Sequence, residues 1–337
     1  MTPIVSNPKN ALPATTVKND AKPVAWFAWA TLGYNVAVIL WGAYVRATGS
    51  GAGCGNHWPL CNGDVIPATP QAQTIIEFTH RVTSGLAFIT VVTLFVWCWR
   101  RTSKSARLVR SSAGLSLLFM INEALLGALL VKLNHVAQDT SVARAAFLSM
   151  HFANTLLLLA SIAVTAYLLS REPRHPRVVA RRSETIMIGL GLLAAMTMGI
   201  TGSLAALGDT LFPATSLRSS LAQDFSSSSY YLIRLRFVHP LAAVVGAVYV
   251  SWLIRKNLSQ RTASHALSIL VMTLLVLQLG LGVVNVLLLA PVWLQLVHLL
   301  VADFLWISLV LASADLFFDR APVQVSTLEL QAGHRHA

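Results

Sequence analysis

The chain has 337 residues, 55% of them hydrophobic and only 11% charged, with a formal net charge of +12. That balance excludes an ordinary soluble globular protein and fits a polytopic membrane protein. The surplus of Lys and Arg lies in loops between apolar runs, so topology accounts for it and no nucleic-acid partner is required.

Residues 1–22 are polar and lack the apolar stretch of a cleavable signal peptide, so they are expected to form a disordered tail. Eight runs near the roughly 20-residue bilayer-crossing length follow. They are Val24–Val45, Ile75–Trp99, Ser111–Val131, Ala145–Ser170, Thr185–Leu207, Tyr231–Ile254, Ala266–Leu289 and Val292–Leu311. Backbone groups in hydrocarbon must be satisfied within the segment, so each run is predicted to be a helix. Residues 320–337 form a second expected tail, whose His334 and His336 are read as solvated.

One set of loops is strongly basic: Arg100, Arg101, Lys104, Arg107 and Arg110, then Arg171, Arg174, Arg177, Arg181 and Arg182, then Arg255, Lys256 and Arg261. The opposite loops hold Arg46, Lys132, Arg144 and Arg218, with Arg81, Arg234 and Arg236 at helix ends. The positive-inside rule then places both termini in the cytoplasm.

The chain repeats itself. Thr48-Gly49-Ser50 closes the first span, and Thr201-Gly202-Ser203 is read as closing the fifth. Gly63-Asp64 in the first outer loop is answered by Gly208-Asp209, placed in the third. Phe78-Thr79-His80 is answered by Phe237-Val238-His239, and Leu126-Gly127 by Leu279-Gly280. An even number of spans per repeat makes the halves parallel. The expected fold is therefore all-α, with eight transmembrane helices in two pseudo-symmetric parallel four-helix bundles. The halves are residues 23–171 and 184–319, joined by a basic cytoplasmic linker at 172–183.

His80, His151, His239 and His298 each open an even-numbered span at one depth. Haem iron takes two axial imidazoles, and bundle helices can supply one each, so His80 with His151 and His239 with His298 form two bis-histidine haem sites. His57, His135, His175 and His265 fall in loops and are read as solvated. Zinc is disfavoured, because no Cys or second His stands at ligand spacing on the same helix.

Glu77 lies one turn before His80, where the second half has Arg236. It has two readings: a proton acceptor at the rim of the haem held by His80, or an interfacial carboxylate favoured by the helix dipole. Cys54 and Cys61 share the first outer loop, where a disulfide is expected, either structural or as a redox relay. Cys98 is expected to be a free thiol. Arg46, Arg81, Arg234 and Arg236 are candidate partners for haem propionates or simply snorkelling side chains. Glu123 and Asp303 lie inside spans and remain unassigned.

Taken together, Arg46-Ala47-Thr48-Gly49-Ser50-Gly51, Cys54, Trp58-Pro59-Leu60-Cys61-Asn62-Gly63 and Glu77-Phe78-Thr79-His80-Arg81 resemble haem A synthases. The resemblance runs from about Trp26 to Leu311. One stretch departs from it: Trp41-Gly42-Ala43-Tyr44-Val45-Arg46 stands where many relatives have a Gly-Gly and a Thr-Arg pairing. The resemblance implies a membrane oxidoreductase that converts the C8 methyl of haem O into the formyl group of haem A by successive hydroxylation, for use in terminal oxidases. It implies that His80 and His151 hold substrate haem O, that His239 and His298 hold a haem b cofactor, and that Glu77 is catalytic. It matches Cys54 and Cys61 to a cysteine pair found in part of the family. It further implies a bacterial cytoplasmic membrane location with haem sites toward the outer face, and a haem O synthase as partner. Contact with membrane lipid, a homo-oligomer and an electron donor or acceptor complete the expected surroundings. The rival reading is a di-haem membrane cytochrome b for electron transfer, which would need neither Glu77 in one half alone nor the cysteine pair. A transporter would show broken helices and a polar midplane. A prenyltransferase needs Asp-rich magnesium-pyrophosphate motifs, which the sequence does not contain.

Overall fold

A computed structural model describes residues 21–68, 70–102, 106–171, 181–258 and 265–318. The tails and most of the basic linker at 172–183 lie outside these residues. Among the described residues there are nine α-helices and no strand: α1 Ala21–Ala47, α2 Ala72–Arg101, α3 Arg107–Lys132, α4 Val142–Leu169, α5 Arg182–Leu211, α6 Leu217–Phe225, α7 Tyr231–Leu253, α8 His265–Leu287 and α9 Val292–Phe317. A π-helical turn, Ile254–Leu258, continues α7. Eight of the nine are long and apolar enough to cross a membrane; α6 is a short helix in the loop between α5 and α7. The chain is an all-helical polytopic membrane protein.

Neighbour relations repeat along the chain. In the first half α1 packs on α2 and α4, and α3 on α2 and α4. In the second, α5 packs on α7 and α9, and α8 on α9 and more sparsely on α7. The halves meet where α1 and α4 face α5 and α9. The main core lies among α1 to α4 and reaches α9; Ala28, Leu94, Leu159, Ile162, Ala163 and Ala166 are all fully buried there. Small residues at these points let helices approach closely, which substitutes for a hydrophobic driving force that lipid does not supply. A smaller core joins α5, α7, α8 and α9 around Val250, Val271, Leu309 and Ala312.

Polar groups within the spans find internal acceptors. Trp306 Nε1 donates to the Leu156 carbonyl at 2.7 Å, pinning α9 to α4. Near the C-terminal ends of the same two helices, Tyr167 and Arg171 both reach Asp315 on α9. Arg46 at the end of α1 crosses to the other half. It donates to the Ala206 carbonyl at 2.6 Å, to Thr210 Oγ1 at 2.8 Å and to Gln295 Oε1 at 3.0 Å. One guanidinium thus ties α1 to α5 and α9.

Two expectations are corrected. Thr201-Gly202-Ser203 does not close the fifth span, since α5 runs on to Leu211, and Gly208-Asp209 is helical rather than in a loop. Gly49 adopts a left-handed φ of 65°, and Gly51 and Gly53 follow it, so the chain leaves the helix there. Gly202 is followed instead by Leu204-Ala205-Ala206-Leu207, strong helix formers that carry α5 onward. The same tripeptide has opposite consequences because of what comes next.

Arg46→Ala removes three hydrogen bonds that join the halves. We expect it to lower stability by about 2–3 kcal/mol, checked by denaturant unfolding in detergent micelles, while Arg46→Lys, which keeps the charge, recovers only part.

Candidate functional site

The four even-span histidines stand at the same end of the molecule, eight, nine, eight and six residues into α2, α4, α7 and α9. Helical rise puts each about 9–14 Å from its helix N-terminus. All four rings are half-buried. His239 and His298 face each other with ring centroids 6.4 Å apart. His80 and His151 are electrostatic neighbours in the first half. The structure sets His239 beside His298 and puts His80 and His151 within electrostatic range of each other.

Each ring is seated on a glycine of the preceding odd span. A Cβ at Gly42 would stand 2.9 Å from His80 Cε1, and one at Gly202 would stand 3.0 Å from His239 Cε1. At Gly282 the distance to His298 Cε1 is 3.4 Å, and at Gly127 the distance to His151 Cε1 is 3.8 Å. The first two positions have no room for a side chain unless the ring moves. The pattern corrects two sequence matches: Gly202 is the counterpart of Gly42 rather than Gly49, and Gly282 rather than Gly280 answers Gly127. Adjacent Leu-Gly pairs, Leu279-Gly280 and Leu281-Gly282, made the second register ambiguous in sequence.

The ring nitrogens suit metal ligation. Nδ1 of His80, His151 and His298 is buried without a hydrogen-bond partner among the described residues. The other nitrogen of two rings meets a polar side chain of the preceding span. Gln278 Nε2 lies 3.2 Å from His298 Nε2, and Glu123 Oε1 lies 3.7 Å from His151 Nε2. Thr201 Oγ1 lies 3.3 Å from His239 Nδ1. A metal-ligating imidazole donates its other N–H to a partner. Thr201 Oγ1, whose own hydrogen goes to a backbone carbonyl, is placed to accept from His239 Nδ1, whereas Gln278 Nε2 can only donate and Glu123 stands at ion-pair distance from His151. An imidazole–metal bond is about 2 Å, so the 6.4 Å between the His239 and His298 centroids is of the size that an iron between two rings requires. The residues fit a haem.

Glu77 is 3% exposed and sits under the first inter-span loop. Its Oε2 accepts from the Cys54 N–H at 2.8 Å, and its Oε1 accepts from Arg81 Nη2 at 2.6 Å. Arg81 also donates to the carbonyls of His57 and Leu60. Cys54 and Cys61 form a disulfide across the same loop. A Cβ at Gly53 would come within 2.4 Å of the Gln73 carbonyl, so the loop lies flat on the start of α2. Loop, disulfide, Arg81 and Glu77 thus form one unit beside His80. Cys98 is a buried free thiol.

The four arginines differ. Arg46 and Arg81 are engaged as described. Arg236 pairs with Asp209 at 3.2 Å and Asp224 at 2.8 Å, where sequence alone suggested no acidic partner. Arg234 is exposed. His135 is not simply solvated: its Nδ1 lies 2.8 Å from Asp139 Oδ2, and its ring stacks on Phe147. His57 and His265 are exposed. His175 lies outside the described residues. Gln278 and the partner of Glu123 went unnoticed in sequence; the available signal was a polar residue four positions before Gly127 and again before Gly282. Asp303 is 1% exposed, and its Oδ2 has no hydrogen-bond partner among the described residues. A cleft of about 760 Å³ between α7 and α8, lined by Val244, Val248, Trp252, Met272 and Val276, touches none of the four histidines.

Fold and site together define a polytopic helical membrane protein with two buried histidine pairs at one end. Residues 25–310 match the COX15-CtaA family, described as cytochrome oxidase assembly protein, and the chain belongs to that family. A relative from Thermus thermophilus, named protoheme IX farnesyltransferase, is 44% identical over 293 residues, covering 85% of this chain and 47% of its own. One from an Exiguobacterium species, named heme A synthase, is 30% identical over 240 residues, covering 71% of this chain and 76% of its own. A heme A synthase from Halalkalibacterium halodurans is 37% identical over 149 residues, covering 44% of this chain and 47% of its own. The chain spans about half the length of the Thermus relative it matches.

The disulfide has a direct chemical check. Of three cysteines, only Cys98 is free. Alkylation of the fully unfolded chain without reductant should label one thiol, and after reduction three.

Proposed function

We propose that this chain is a haem A synthase, oxidising the C8 methyl of haem O to a formyl group by successive hydroxylation for use in terminal oxidases. The observation that carries the reading is the unequal pair of sites: two histidine pairs on matched glycines, with a buried carboxylate and a disulfide-tied loop at only one of them. An electron-transfer cytochrome would need the histidines but not that unit. The relatives named heme A synthase support the same reading. The Thermus relative is named for farnesylation of protohaem, yet more than half of it lies outside the aligned segment. We assign prenyl transfer to that other part, and take from it that the substrate-supplying partner here is a haem O synthase.

In this reading His80 and His151 hold the substrate haem O, and His239 and His298 hold haem b. Haem b would supply one-electron chemistry. The glycine seats fix ring orientation, since a ring resting on backbone cannot rotate freely. Glu77 is oriented by the Arg81 guanidinium and the Cys54 N–H, placed to take up the proton released as the substituent is oxidised. Arg81 ties the disulfide loop over the same place, excluding bulk water. Arg234 is the propionate partner proposed for the second site; Arg46, Arg81 and Arg236 would share a propionate with the acceptors they already hold. The histidine end is placed at the outer face of a bacterial cytoplasmic membrane, because the opposite loops carry the basic residues. The oligomeric state and the outside electron donor or acceptor belong to the same proposal.

Haems extracted from protein purified out of cells that make haem O should contain haem b together with haem O, haem A or a hydroxylated intermediate. Haem b alone, two per chain with haem O present, would instead make this an electron-transfer cytochrome. Glu77→Gln should keep its haem content and lose turnover by about 10²–10⁴-fold; turnover at the parent rate would remove Glu77 from the mechanism.

A further inference from the structure

The halves differ at one more place, and the difference bears directly on the histidines. Glu123 stands four residues before Gly127, and Gln278 four residues before Gly282. Both glycines seat a histidine of the following span, so the two positions are equivalent in the repeat. Each places its polar end at the ring it neighbours: Glu123 Oε1 lies 3.7 Å from His151 Nε2, and Gln278 Nε2 lies 3.2 Å from His298 Nε2. The first half therefore offers its histidine a carboxylate, and the second offers an amide.

The surroundings were changed to match. Asn154 Nδ2 donates to Glu123 Oε2 at 2.6 Å and to the Phe119 carbonyl at 2.8 Å. Thr155 Oγ1 donates to Glu123 Oε1 and to the His151 carbonyl. Asn154 and Thr155 are three and four residues past His151; the residues three and four past His298 are Val301 and Ala302, which have no donor to offer. A carboxylate is cradled in one half, and the cradle is missing in the other.

We propose that Glu123 is a positioning residue for His151, giving the first histidine pair a stronger imidazole donor than the second, where Gln278 takes its place. A carboxylate facing an imidazole N–H at ion-pair distance leaves the ring more electron-rich than an amide whose NH2 can only donate toward the ring, and such partners change metal affinity or activity by about 10–100-fold. The ferric form of a haem held by His80 and His151 is stabilised relative to that of a haem held by His239 and His298. The inference rests on the haem reading above and deepens it: the substrate site becomes the one that gives up electrons, and the cofactor site the one that accepts them.

The test is an anaerobic potentiometric titration of the haem-loaded protein, followed by its absorption bands, for the parent, Glu123→Gln and Gln278→Glu. His298→Ala, which disrupts the second pair, assigns the steps. The parent should show two one-electron steps, the lower belonging to the first half. Glu123→Gln should raise the potential of that step alone by about 59 mV, a tenfold fall in the oxidised-to-reduced ratio at a given ambient potential for one electron, with haem content unchanged. Gln278→Glu should lower the other step by less, since Val301 and Ala302 do not hold the new carboxylate. Two bound haems whose steps stay put in both variants would overturn the role of Glu123 and leave the haem reading standing. Protein that takes up no haem would overturn both.

Discussion

An imidazole within the hydrocarbon layer needs a partner for each ring nitrogen, and no water is there to supply one. The molecule is arranged around four such rings. Because spans must be helical, nothing but side chains and the bare backbone of glycine can approach the rings from neighbouring helices. Gly42, Gly127, Gly202 and Gly282 provide that backbone, and the rings lie across it. What this contact fixes is the distance between an odd span and the even span after it, and with it the place where the two halves can meet.

That meeting is made by few polar contacts. Arg46 reaches three acceptors on α5 and α9, and Trp306 reaches the Leu156 carbonyl. Hydrogen bonds of this kind hold spans together where apolar surface contributes little, since lipid is as apolar as the helices themselves. Both contacts cross between halves, and Arg46 does so near the histidine end. A guanidinium read from sequence as a propionate partner or a snorkelling side chain is also part of the joint between the halves.

Much of this was legible in the sequence for a simple reason: membrane spans carry a signal about 20 residues long, and a charged or imidazole side chain within one stands out. All eight spans and the four histidines within them fall in that class, while Cys54 and Cys61 stand out as two cysteines in one short loop. What was not legible depends on context. Thr201-Gly202-Ser203 looks like the end of a helix because Thr48-Gly49-Ser50 is one, and only the residues that follow separate them. The short helix α6 carries little apolar character, and so Asp224, which it brings to Arg236, could not be paired in advance. Gly280 and Gly282 sit two apart in one apolar run; helical phase, not composition, decides which one meets a ring. Glu123 stood out as a charge in a span, but its partners Asn154 and Thr155 lie 31 and 32 residues away on another helix.

The repeat accounts for the likeness of the two histidine sites, and the departures from it lie around the rings. At the place of Glu77 the second half has Arg236, paired with Asp209 and Asp224. The carboxylate beside the first pair is thereby replaced by a cation held between two carboxylates of its own half. At the place of Arg81 it has Pro240, which can tie down no loop. At the place of Glu123 it has Gln278. All three changes leave the histidine and its glycine seat intact while altering the charge around them. A site kept only to hold a cofactor needs the seat; a site that must also transform what it holds needs the carboxylates. Under the proposed function the same scaffold would serve both, with a handful of positions around the rings separating the two roles.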